Sequence, residues 1–136
     1  MASSSASIIT NRYKDIDISF TRNPITGDIY TVTDIDAVKR AIKLLVLTQF
    51  GERLFHPEIG SSVYSSLFEN LTVFTKIAIS RSISNVINNF EPRASLLNVD
   101  IQEDSLDVNN LIVTVSYYIV NTQNPVTLTI NLERIR

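Results

Sequence analysis

His56 is the only histidine in this 136-residue chain, so the side chain best suited to proton transfer near neutral pH is almost absent. A triad or a His-rich metal centre needs partners that the chain lacks. That leaves His56 a lone acid–base role or a structural one in the loop before Pro57. Serine is plentiful, but no Gly-x-Ser-x-Gly elbow exposes one as a nucleophile. A glycosidase pair would have to come from Glu52, Glu58, Glu69 and Glu91, and their spacing selects none of them. Asp100, Glu103, Asp104 and Asp107 form an acidic run without the central Gly and terminal Glu of an EF-hand loop, so a solvated turn is expected there. The chain has no cysteine, and its three glycines, Gly27, Gly51 and Gly60, make no phosphate-binding loop. The expectation is a non-enzymatic chain with no catalytic residue, no cofactor and no metal.

Recognition is the alternative to chemistry. Gly51-Glu52-Arg53 follows the first long helical pattern, and Glu91-Pro92-Arg93 follows the last. Each places a carboxylate and a guanidinium at a helix exit, where a cation gains about 0.3–1 kcal/mol from the helix dipole. Either pair can brace its own turn. In the second, Pro92 stiffens the backbone, so Arg93 could offer its planar fork to a partner at little entropic cost. Both readings stay open on spacing alone.

The elements that position these residues follow from periodicity. Ile16, Ile18 and Phe20 alternate with Asp17 and Ser19, which predicts a half-buried strand. Asn23-Pro24 and Gly27-Asp28 bracket a turn, and Ile29 to Val32 is expected as a second strand. Thr33 is the expected cap of a first helix whose core stripe is Ile35, Val38, Ile42 and Leu45, with Gly51 at its exit. A short helix is expected over about Ser62 to Glu69. A third starts at Thr72, buries Ile79, Ile83, Val86 and Phe90 with Ile77 and Ile87 beside them, and stops at Pro92.

Three strands complete the pattern: one carrying Leu97, Val99 and Ile101, one over Leu111 to Val120, and one carrying Val126, Leu128, Ile130 and Leu132. Thr127, Thr129 and Asn131 on the last strand predict a wet face, and an outer strand is a template for another chain. The fold class expected is α+β. Short N-terminal strands precede three helices packed on one face of a mainly antiparallel C-terminal sheet.

Bulk properties agree with one globular domain over residues 13–136 after a flexible, Ser/Ala-rich arm at 1–12. Hydrophobic residues make up 44% and charged residues 19%, far from the disordered regime. A net charge of -2 gives no field for phosphates, so no nucleic-acid partner is expected. The most apolar run, Ala41 to Leu47, is much shorter than the ~20 residues of a membrane span. A soluble intracellular protein with no membrane partner is the expectation.

Asn89-Phe90-Glu91-Pro92-Arg93 at the end of a helix resembles the Glu-Pro-Arg motif of baseplate wedge proteins from contractile-tailed phages, the family named for gene product twenty-five of the T-even phages. The likeness runs in family order through Asp15-Ile16-Asp17 with Phe20, Pro24-Ile25-Thr26-Gly27-Asp28, Thr48-Gln49-Phe50-Gly51-Glu52-Arg53, Pro57, Gly60 and Leu67-Phe68-Glu69-Asn70. The resemblance implies a structural subunit of the virion tail baseplate, assembled in the host cytoplasm and present in several copies in a symmetric ring.

It also implies two contacts. Glu91, Pro92 and Arg93 would bind the helical core bundle of the wedge, with Gly51, Glu52 and Arg53 as a secondary docking point. The final sheet, at Thr127, Thr129 and Asn131, would exchange strands with the first ring of tail sheath protein. Tube or hub proteins are further candidate partners. Three other roles compete: the equivalent subunit of a type VI secretion or other contractile injection apparatus, a regulatory anti-adaptor-like module, and a muramidase acting through Glu52 or Glu91.

Overall fold

The computed structural model describes residues 13–120 and 122–133, and the arm expected over 1–12 lies outside them. The chain divides into two compact units, Met1–Ala37 and Val38–Arg136, with the boundary inside the first helix.

In the first unit, β1 (Lys14–Ile16) pairs antiparallel with β2 (Thr31–Thr33). The expected turn is present between them. Asn23 accepts a hydrogen bond from the Ile25 N–H at 2.9 Å, and Gly27 takes φ 74°. The strand expected over Ile16 to Phe20 is not. The chain turns at Ile18 and Ser19, where the Phe20 N–H donates to the Asp17 carbonyl at 3.0 Å. The burial phase is also inverted: Ile16, Ile18 and Phe20 are exposed, while Asp15 and Asp17 are half-buried. A local bond explains part of this, since the Asp17 carboxylate accepts the Ser19 N–H at 3.1 Å and holds the turn.

The first helix, α1 (Asp34–Leu47), begins directly after Thr33, as expected, but differs from expectation in its buried stripe and at its exit. Asp34, at φ 47°, makes the structural contact at its start. Its N–H donates to the Tyr13 carbonyl at 2.8 Å, and its carboxylate accepts the Tyr13 N–H at 3.2 Å. The buried stripe is Ala37, Val38, Ile42 and Val46, whereas Ile35 is exposed and Leu45 half-buried. Gly51 lies in the turn beyond the helix, not at its exit.

Two helices follow in the second unit, α2 (Val63–Leu67) and α3 (Val73–Phe90). The Thr72 side chain caps α3 by accepting the Thr75 N–H at 3.3 Å. Ile79, Ile83, Val86 and Ile87 are buried, Phe90 is half-buried and Ile77 is exposed. The Ser62 N–H and hydroxyl both donate to Ser82 Oγ, at 3.0 and 2.9 Å, and tie the start of α2 to the middle of α3.

The sheet consists of β3 (Ala94–Glu103), β4 (Asn110–Ile119) and β5 (Pro125–Glu133), antiparallel and in that order. Leu111, Val113, Val115, Tyr117 and Ile119 are all buried on one face of β4, and α3 packs against β3. Registered rows cross the sheet. Ile101, Val113 and Ile130 share a row on the core face, and Asp100, Thr114 and Thr129 share one on the polar face. The ladder shifts between Leu96 and Asn98, leaving Leu97 as a bulged, exposed residue. The apolar alternation expected through Leu97 therefore holds only after the bulge, at Val99 and Ile101.

Residues 46–51 and 57–63 are laced together. Ser61 donates from its N–H to the Thr48 carbonyl at 2.8 Å and from its hydroxyl to the Val46 carbonyl at 2.6 Å. Gly60 permits that approach, because a Cβ there would lie 2.7 Å from the carbonyl carbon and oxygen of Gln49. Around Gly51, by contrast, a Cβ would meet nothing within 4 Å, and only its φ of 81° is at issue. Gly60→Ala is thus expected to lose more than about 2 kcal/mol. Gly51→Ala should lose only about 1 kcal/mol. Urea unfolding of the two variants checks the order.

Candidate functional site

Glu91-Pro92-Arg93 occupies the corner where α3 hands the chain to β3. Proline disfavours the α conformation in the residue before it, and Glu91 accordingly leaves the helix at φ −123°, ψ 79°. Its N–H still completes the last helical bond, to the Ile87 carbonyl at 2.9 Å. Beyond the turn, the Arg93 carbonyl accepts the Val120 N–H at 2.9 Å, fastening the corner to the end of β4.

The two charged side chains face each other. Arg93 Nε donates to Glu91 Oε1 at 2.6 Å and Nη2 to Oε2 at 3.0 Å, a bidentate fork. The Glu91 side chain is only 4% exposed, against 24% for Arg93, while Pro92 is exposed. The brace reading is therefore physically present in the turn. What the turn offers to its surroundings is Pro92 and the partly exposed Arg93 side chain, with the Glu91 carboxylate held inside.

Gly51-Glu52-Arg53 is built differently. The Glu52 carboxylate accepts the Gln49 N–H at 2.9 Å and closes its own turn, while Arg53 is exposed. Leu54 and Phe55 follow it into solvent, with Phe55 at a left-handed φ of 69°. His56 is exposed and contacts Glu58 at 3.1 Å. The Glu58 carboxyl is held below its ordinary range, first by a backbone hydrogen bond and then by His56. Thr127, Thr129 and Asn131 are all exposed on outer strand β5.

Asp104 and Asp107 accept hydrogen bonds within their own loop, from Leu106 N at 3.0 Å and Asn109 N at 2.9 Å. Among the described residues no group of three or more His, Cys, Asp or Glu side chains could hold a metal. No helix among them is long and apolar enough to cross a membrane.

One feature of α3 escaped sequence reasoning. An open cavity of about 760 Å³ runs along the helix, bounded by Phe50, Phe74, Ile77, Arg81, Asn85 and Phe90 among others. Phe74 falls off the core stripe, and that was the available signal; Ile77, expected beside the core, is exposed instead.

Solved structures share this architecture. A chain of the anti-feeding prophage baseplate superposes with a TM-score of 0.72 at 27% identity, covering 82% of this chain and 89% of that one. A Geobacter sulfurreducens protein with a provisional tail-lysozyme name gives 0.69 at 20% identity, covering 74% and 91%. A chain of the post-contraction pyocin R2 baseplate gives 0.57 at 17%, covering 73% and 96%. The last two establish likeness of fold alone.

The class is thus that of structural baseplate subunits of contractile injection systems. Residues 32–124 match the family described as Baseplate wedge protein gp25, and the chain belongs to that family. Baseplate wedge protein gp25 of Enterobacteria phage T4 is 30% identical over 93 residues, 68% of this chain and 70% of that relative.

The fork makes a direct prediction. Arg93→Ala strands a buried carboxylate and should lower stability by about 3 kcal/mol. Glu91→Met combined with Arg93→Met, which removes both charges, should recover most of that loss. Urea midpoints of the single and double variants measure the difference.

Proposed function

We propose that this chain docks on the helical core bundle of baseplate wedge proteins through the Glu91-Pro92-Arg93 corner, and that its C-terminal sheet starts the tail sheath by accepting arms from the first sheath ring. The observation that carries the docking half is the buried fork. It fixes Arg93 in one orientation before any partner arrives, so that binding loses little side-chain entropy. Glu91 acts as the holder, and the contact surface is Pro92 with the exposed part of Arg93. Arg53, beside exposed Leu54 and Phe55, is the secondary docking point.

The sheath half rests on outer strand β5, whose main chain offers a linkage that tolerates sequence change in the guest. The subunit works in several copies in a tail baseplate of the virion, assembled in the host cytoplasm, with tube or hub proteins as further neighbours. The anti-feeding prophage baseplate supports a second setting, a contractile particle other than an infectious phage.

A structural role without hydrolysis is part of the same proposal. A glycosidase acid needs a raised pKa. Here the Glu58 carboxyl is held below its ordinary range. As a matter of geometry, the Glu52 carboxylate is engaged by the Gln49 N–H and that of Glu91 by Arg93. Purified chain should therefore release no peptidoglycan fragments, and release that Glu52→Gln or Glu91→Gln abolishes would overturn this.

Docking is tested with Arg93→Lys, which keeps a cation beside Glu91 but loses the planar fork. The variant should stay folded and fail to enter baseplates; normal incorporation sinks the docking proposal. For the sheet, baseplates carrying a folded Thr129→Pro chain should not grow sheath. Sheath of normal length would argue against strand exchange at β5.

A further inference from the structure

We infer that the other outer strand, β3, forms with the exposed flank of α3 a second acceptor, for an extended chain segment that is apolar on one face and basic on the other. The strand order places β3 and β5 at opposite edges of the sheet. Among the described residues β3 pairs only with β4, so the outward N–H and C=O groups of β3 have no strand beside them. The bulge at Leu97 interrupts the beginning of this edge. From Asn98 to Glu103 the pairing with β4 runs without a break, long enough to seat a guest strand.

The helix supplies what β5 has not been shown to have. Val99 and Ile101 on β3, with Val73, Lys76, Ile77 and Ser80 on α3, line an open cavity of about 220 Å³. Val73 and Ile77 are exposed on the flank of α3, opposed to its buried stripe of Ile79, Ile83 and Val86. Val113 and Val115, the partners of Ile101 and Val99 on β4, are fully buried. The apolar rows of the core thus continue across β3 and end half-covered in this cavity. An added strand would extend each row by one residue, placing alternate side chains between β3 and α3.

The opposite face sets the charge of the guest. Asn98, Asp100 and Gln102 are exposed there, and the Asp100 carboxylate accepts from Gln102 Nε2 at 2.8 Å. A cation directly across from Asp100 is favoured and an anion disfavoured. At one end of the cavity Lys76 Nζ and Glu103 Oε1 meet at 2.7 Å, joining helix to strand and keeping the two walls together.

A short synthetic peptide of alternating lysine and valine is the probe. At saturation it should slow amide hydrogen exchange about tenfold at alternate residues of Asn98–Glu103. Ile77→Asp, an exposed position, should weaken binding about tenfold. The same peptide with a central proline should give no protection, and a glutamate–valine peptide should bind more weakly than the lysine one. Protection confined to β5, or none at all, overturns the acceptor; equal binding of the two charged peptides overturns its preference for a basic guest. Because the probe contains no sheath sequence, its result is separate from the Thr129→Pro sheath assay.

Discussion

Everything downstream of α3 depends on how a buried carboxylate is neutralised where the helix ends. Glu91 leaves the helix because Pro92 follows it, and its side chain is almost fully buried at the corner between helix and sheet. Arg93, two residues on, answers it with both arms of its guanidinium. Such a pair adds little net stability, since desolvating two charges offsets most of their attraction. Its contribution is direction. The closed fork and the bond from Val120 to the Arg93 carbonyl together hold the chain where it enters β3.

Much of this fold was legible because its signals were long. The α3 stripe repeats over five turns between a threonine cap and a proline stop. β4 alternates without a break from Leu111 to Ile119. Short segments were harder. Ile16, Ile18 and Phe20 lie outward partly because the Asp17 carboxylate bonds the Ser19 N–H and ends the strand in a turn, and three residues of strand are too few for packing to impose its phase. The α1 stripe kept Val38 and Ile42 but moved at its ends, by two residues from Ile35 to Ala37 and by one from Leu45 to Val46.

The candidate site was legible as residues and not as geometry. The sequence places Glu91 and Arg93 two apart across a proline. Whether they meet each other or a partner depends on the backbone angles of the turn, which no side-chain pattern encodes. The bulge at Leu97 was hidden for a related reason. Counting alternate residues assumes that none is skipped, and here one is. Gly60 was recognised only through family likeness, while its physical cause, the backbone of Gln49 within touching distance, is a tertiary fact.

The displaced Leu97 also bears on residence time. Two free copies that collide edge to edge find matching hydrogen-bond partners only along the uninterrupted stretch past the bulge, with no shaped side-chain fit to hold them. Such encounters are brief, because few bonds have to break together. A guest that also filled the cavity beside α3 would have to lose its main-chain and side-chain contacts at once, and would leave more slowly. A single extra residue in one strand thereby separates passing contacts from lasting ones by how long each survives.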